Sequence, residues 1–264
     1  MNENWPQKIK DKLKNMEIKK DDMGRSSAGV YQCVSDTKTY FLKIDSKGSE
    51  LKNEYQNICW LNGKAPVPKI IEWDSDGYND YLLVSKIDGL MLCDDYYMNN
   101  PKMAIPVLAK GIKLFQSIDI SDCKIKNNCK IINNLENKLK LAKNNIQNNK
   151  VDVDDWNEET HKQFNSPSQL LEYLYDNKPE HEELVFTHGD YCLPNIFGHE
   201  DKVTGFIDLG RAGIADKWQD IALCTRSFWH NFNTKEYDDF LLEELGIEKD
   251  EKKLNYYILL DEFF

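Results

Sequence analysis

Asp190 and Asn195 stand five residues apart in His188-Gly189-Asp190-Tyr191-Cys192-Leu193-Pro194-Asn195, and a further acid follows in Phe206-Ile207-Asp208-Leu209-Gly210-Arg211. That order and spacing suit phosphoryl transfer. One Asp can touch the acceptor hydroxyl, an Asn on the same loop can hold a magnesium ion, and an Asp on the next hairpin can complete the metal site. Each tripeptide alone is weak evidence, whereas the ordered set among short apolar runs is specific. The competing assignment makes Asp190 and Asp208 turn or cap residues and gives Asn195 a left-handed turn position, both common Asx roles. Context favours chemistry, because Leu184-Val185-Phe186 runs into His188 and Val203-Thr204-Gly205-Phe206-Ile207 runs into Asp208, putting both acids at the ends of predicted strands.

The elements that must position these groups form two regions. Ile9, Leu13 and Met16 share one face of a short amphipathic helix, and strands are predicted over 30–34, 39–44 and 81–85. A helix over 50–61 lies between the last two strands and is terminated by Gly63 and Pro66-Val67-Pro68. From Asp88-Gly89 onward the pattern turns helical, over 104–118 and again around 131–142, with further helices over 218–228 and 256–264. The Asn- and Lys-rich stretch 143–150 is predicted to be a mobile connection, and 151–159 is an acidic run. The expected fold class is α+β and bilobal: a β-rich nucleotide-binding lobe with one helix over 1–88, and a larger, mainly helical catalytic and acceptor-binding lobe over 89–264.

On the nucleotide side, Lys43 lies in a strand and Glu54 in the following helix. In a kinase-type lobe such a pair sets the lysine ammonium on the α- and β-phosphates, with the glutamate fixing its rotamer. Gly24-Arg25-Ser26-Ser27-Ala28-Gly29-Val30 links two strands with small residues whose backbone N–H groups can approach phosphates closely. It matches neither a Walker A motif nor a full GxGxxG. The segment Ser85-Lys86-Ile87-Asp88 joins the two regions and offers backbone groups to an adenine edge.

Composition bounds the partners. The 264 residues are 41% hydrophobic and 11% aromatic, enough to bury one or two cores. The formal charge of -11 argues against a nucleic-acid partner and mildly favours a cationic ligand. The seven cysteines are scattered and lack a CxxC pair, which fits a reduced cytoplasm better than a disulfide framework or a zinc site. The charged first sixteen residues contain no signal-peptide core, and no stretch approaches membrane-spanning length, so no membrane partner is expected.

These residues carry a resemblance. Val185 to Asn195, Gly205 to Arg211, the block Ala215-Asp216-Lys217-Trp218-Gln219-Asp220-Ile221-Ala222 and the terminal Leu259-Leu260-Asp261-Glu262-Phe263-Phe264 resemble the aminoglycoside 3'-phosphotransferases, and the likeness covers essentially the whole chain. The resemblance implies a protein-kinase-like fold and Mg²⁺-dependent transfer of the ATP γ-phosphate, with GTP as the alternative donor, to an aminoglycoside hydroxyl such as the 3'-OH of kanamycin or neomycin. By it, Asp190 orients and deprotonates the hydroxyl, and Asn195 and Asp208 bind Mg²⁺. Lys43 and Glu54 hold the phosphates, Ser27 caps them, Phe41 stacks on adenine, Ser85 and Ile87 form the hinge, and Ile207 lies on the nucleotide side. Asp155, Glu158 and Glu159 of the acidic run, with Asp261, Glu262 and the Phe264 carboxylate, face the aminoglycoside, and Arg226 supports that wall. Arg211 is grouped with the acceptor side, either tethering the Asp190 loop or forming a structural ion pair. His230 and Asn231 depart from the acids some relatives carry there. The terminal LLDEFF and the 215–222 block separate this reading from a kinase for choline, a macrolide or a sugar. Retention of Lys43, Asp190, Asn195 and Asp208 separates it from a catalytically silent binding protein.

Overall fold

A computed structural model of the chain describes residues 4–21, 29–121, 123 and 133–264. It divides into two compact units, Met1–Leu90 with Thr204–Arg211, and Met91–Val203 with Ala212–Phe264. In the first, α1 (Gln7–Lys12) precedes an antiparallel sheet of β1 (Glu17–Asp21), β2 (Gly29–Val34), β3 (Thr39–Ser46), β4 (Ile70–Ser75) and β5 (Asn79–Ser85), in spatial order β1-β2-β3-β5-β4. Helix α2 (Leu51–Leu61) is inserted between β3 and β4.

Successive strand residues point to opposite faces, and β3 uses both. Leu42 is fully buried with Trp5, Ile9, Leu13, Cys33, Tyr81 and Leu83, and Tyr40 and Ile44 pack against that core. Phe41 and Lys43 therefore face the other way. The two edge strands, β1 and β4, are absent from the clearest sequence signals. β1 reads Glu-Ile-Lys-Lys-Asp, because an edge strand discourages pairing with other chains by carrying charge rather than apolar alternation.

In the second unit the chain passes from β6 (Leu90–Met91) into α3 (Asp95–Met98), α4 (Pro101–Gln116), α5 (Leu135–Gln147), α6 (Glu158–Gln163) and α7 (Pro167–Asp176). Strands β7 (Leu184–Thr187), β8 (Ile196–His199), β9 (Lys202–Phe206, counted with the first unit from Thr204) and β10 (Gly213–Asp216) follow, then α8 (Trp218–Phe232), α9 (Asp238–Leu245) and α10 (Glu251–Asp261). Helix α8 is buried at every position from Trp218 to Thr225, and β7 pairs antiparallel with β10, Thr187 opposite Gly213.

Two sequence expectations are corrected here. Most of the predicted connection over 143–150 belongs to α5, which is capped by the Asn134 side chain and runs to Gln147, with Leu135, Leu139 and Ala142 buried. The polar residues after Ala142 read as a linker, yet they propagate a helix already nucleated by its buried stripe, which carries even the weak helix formers Asn144 and Asn145. The terminal helix starts at Glu251, behind an Asp250 cap, and stops at Asp261. Segregated helices and antiparallel sheets give the α+β class.

Candidate active site

The loop after β7 is held from below by α8. Asp220, in the first turn of α8 and only 2% exposed, accepts hydrogen bonds from the backbone N–H groups of His188 at 2.7 Å and Gly189 at 2.9 Å. Gly189 has φ +86°, a conformation that side chains rarely adopt, so the chain can turn there and present both N–H groups to one carboxylate. Burial pushes the Asp220 carboxyl up from its ordinary range, opposed by His188 and by the two N–H donors. The His188 ring, fully buried, lies edge-on to Phe115 and Tyr191, and the Tyr191 hydroxyl donates to the Leu108 carbonyl at 2.7 Å.

On this support sit Asp190 and Asn195. The Asn195 side-chain amide donates to both the carbonyl oxygen and Oδ2 of Asp190, each at 3.0 Å, which cross-braces the loop and leaves the amide oxygen of Asn195 facing away from these bonds. Leu193 N–H donates to Ser227 Oγ at 3.0 Å, fixing the far end of the loop to α8. Asn195 closes a 3₁₀ turn rather than filling a left-handed position.

Asp220, His188 and Ser227 support this loop, a role the motif reading left unassigned. An Asn at 220 would present an amide to one of the two N–H groups, and an unpaired buried donor costs about 1–3 kcal/mol. Asp220→Asn is therefore expected to lower the melting temperature and cut kcat by about tenfold or more, with KM for ATP within about threefold. Steady-state kinetics beside thermal melts check this, and unchanged kcat in a folded variant would reduce Asp220 to a helix-start residue.

In the first unit, Lys43 Nζ lies 2.7 and 2.9 Å from the two oxygens of Glu54 and 3.0 Å from Asp208 Oδ1. Burial opposes the charged ammonium, but Glu54 and Asp208 together outweigh it and raise the lysine well above its ordinary range. The ammonium is a fixed positive charge. Burial raises the Glu54 carboxyl above its ordinary range, opposed by the Lys43 ammonium that both of its oxygens meet. Asp208, its side chain 49% exposed, has φ +61°. Asp is among the few residues other than glycine that tolerate this left-handed region.

The remaining nucleotide-side candidates are placed as follows. Phe41 lies on the Lys43 face of β3, with Val84 opposite it in β5. Ser85 ends β5, its N–H donating to Lys69 O at 2.9 Å and its Oγ accepting from Lys69 N–H at 3.0 Å. Ile87 is buried, and its backbone has no hydrogen-bond partner among the described residues. Ile207 is half-buried between β9 and Asp208. Ser27 and the loop 24–28 lie outside the described residues. Arg211 donates through Nε to both oxygens of Glu50 at 3.2 Å, an ion pair within this unit.

On the acceptor side, the second unit ties its C-terminal end down. Glu262 is buried, and its Oε1 accepts from the backbone and side-chain N–H of Asn157 and from Thr160 Oγ1 at 3.0 Å. Burial pushes this carboxyl up, opposed by Arg226 and the Asn157 N–H. Trp156 Nε1 donates to Glu262 O at 3.1 Å, Asn145 donates to Phe263 O at 2.9 Å, and Phe263 is 1% exposed. Arg226 pairs with Asp261 at 2.6 Å, and the Lys138 ammonium sits over the Phe264 ring. Glu159 meets Lys235, which also lies over Trp229 at 4.1 Å, while Glu158 pairs with Lys162 and Asp155 is exposed.

Residues 17–255 match the model of the phosphotransferase enzyme family. The chain is 42% identical to an aminoglycoside 3'-phosphotransferase of Enterococcus faecalis, over 93% of this chain and 92% of that protein. It is 38% identical to one of Niallia circulans, over 99% and 98%. Among solved structures, an aminoglycoside-3'-phosphotransferase of type VIII matches with a TM-score of 0.84 at 27% identity, over 97% of this chain and 96% of that one. The fold is thereby the protein-kinase-like fold of these enzymes. With its family model matched over residues 17–255 and relatives matched along nearly their whole length, the chain belongs to the phosphotransferase enzyme family, among its aminoglycoside 3'-phosphotransferases.

Proposed function

We propose that this chain transfers the γ-phosphoryl group of ATP to the 3'-hydroxyl of an aminoglycoside of the kanamycin or neomycin kind, inactivating it. The observation that carries the reading is the Asn195 cross-brace on Asp190 at 3.0 Å, which fixes one Asp190 oxygen and leaves the other to the acceptor hydroxyl. Asp190 aligns that hydroxyl and takes its proton as the bond to phosphorus forms. Transfer of this kind asks mainly for positioning and charge stabilisation. The Lys43 ammonium, kept charged and in place by Glu54, serves the nucleotide phosphates. Phe41 and the open backbone of Ile87 serve the adenine, with Ser85 and Ile207 beside them, and Ser27 is assigned to the phosphates from sequence alone.

The donor chemistry fits magnesium. Asp208 offers a half-exposed carboxylate and Asn195 an amide oxygen, both hard oxygen donors of the type Mg²⁺ selects. Magnesium takes few protein ligands and completes its shell with phosphate and water oxygens. When bound, the ion would neutralise charge on the transferring phosphates. We assign both ligands on the chemistry of each side chain.

For the acceptor, Asp155, Glu158, Glu159, Asp261 and Glu262 are the anions proposed for its ammonium groups, with Phe264 grouped beside them and Arg226 bracing Asp261. Arg211 is engaged by Glu50 and is proposed to act through its own unit. Thiols at Cys33, Cys59, Cys93 and Cys224 support a cytoplasmic setting. A coupled assay of ATP consumption tests the reading. Turnover is expected with kanamycin and not with choline or a macrolide, and turnover with either of those alone would overturn it.

A further inference from the structure

Helix α2 and its N-cap residue Glu50 present three polar residues along one face toward the segment that carries Asp208. Glu50, Glu54 and Asn57 are four and three residues apart, the spacing that aligns side chains on a helix. Glu54 holds Lys43, which holds Asp208 Oδ1, and the Leu209 backbone amide also favours the charged form of Glu54. Asn57, 3% exposed, donates from Nδ2 to the Leu209 carbonyl at 2.7 Å. Glu50 takes the Arg211 guanidinium, and a Cβ added to Gly210 would lie 3.0 Å from Glu50 Cβ, so the helix and this backbone are in direct contact. The peptide following the left-handed Asp208 is thus gripped by α2.

We infer that Asn57 is a positioning residue for the metal-binding carboxylate: its amide, bonded to the Leu209 carbonyl, holds the left-handed backbone on which Asp208 presents that group. The inference rests on the magnesium role proposed for Asp208. Asp208 sits at φ +61°, a conformation that surrounding structure must over-determine to persist. Asn57 is also the wrong residue for a plain helix–loop contact, because a buried amide is tolerated only when bonded. Its donor goes to the carbonyl of Leu209, the residue that follows the metal candidate. Residues that orient a metal ligand without touching the ion commonly change metal affinity when replaced.

The test uses the full chain with Asn57→Ala and Asn57→Asp, the first removing the donor and the second setting a carboxylate against the carbonyl. Mn²⁺ serves as the probe for Mg²⁺, its binding followed by paramagnetic resonance in the presence of a non-hydrolysable ATP analogue. Binding of the same analogue in EDTA and thermal melts are measured alongside. Mn²⁺ affinity is expected to fall about tenfold, more for Asn57→Asp, with nucleotide affinity in EDTA within about twofold. Mn²⁺ affinity within twofold of the parent chain in folded variants would overturn the inference. So would metal and nucleotide affinities that fall together in step with the folded fraction, since Asn57 would then serve folding alone. A parent chain that binds Mn²⁺ with the analogue but phosphorylates no aminoglycoside would defeat the acceptor reading and leave this one standing.

Discussion

Asp190→Ala will lower kcat by about a hundredfold or more, the usual scale for losing a positioned acid–base group, and ATP will still bind. The structure shows why the loop should survive the change. Its backbone is held by Asp220 on the N–H groups of His188 and Gly189 and by Ser227 on Leu193 N–H, none of which uses the Asp190 side chain. The Asn195 amide loses its bond to Oδ2 but keeps the Asp190 carbonyl at 3.0 Å. Initial rates with kanamycin, together with nucleotide titrations and a melt, measure the effect. Near-normal turnover by the folded variant would remove Asp190 from the chemistry.

The second large effect is expected at Asp208→Asn, which should abolish most Mg²⁺-dependent transfer while leaving the fold intact. On the role proposed for Asp208, one anionic ligand is lost from an ion that would neutralise phosphate charge. The backbone argument is specific to this site: at φ +61° Asn is as well tolerated as Asp, so the left-handed turn should persist. Lys43 would keep both oxygens of Glu54 and with them its charge. Raising magnesium should recover only a little rate. Full activity at ordinary magnesium would reduce Asp208 to a turn residue, so rates across a magnesium titration, with a thermal melt as the control on folding, decide the matter.

The chemistry of this protein is written in short local patterns. The order of Asp190, Asn195 and Asp208 needs only a loop and one hairpin, and the strand and helix that carry Lys43 and Glu54 declare themselves by their periodicity. Buried helices such as α4 and α8 are legible for the same reason, since an apolar stripe repeats at the helical period. Elements whose residues stay polar are not. β1 carries no strand signal and the end of α5 reads as a mobile connection, because their role is fixed by what they lie beside rather than by what they contain.

Tertiary structure alone decided how the chemistry is held. Asn57 meets Leu209 across 152 residues, Asp220 meets His188 across 32, and Glu262 meets Thr160 across 102. Each is a polar side chain satisfied by a distant partner, which leaves no period, spacing or neighbouring signal in the chain. A terminal Glu-Phe-Phe is equally compatible with a frayed end, and only the bonds to Trp156, Asn157 and Thr160 with the burial of Phe263 make it part of the core. The left-handed backbone went to Asp208 rather than Asn195, since both residue types tolerate it and only the surrounding contacts choose between them.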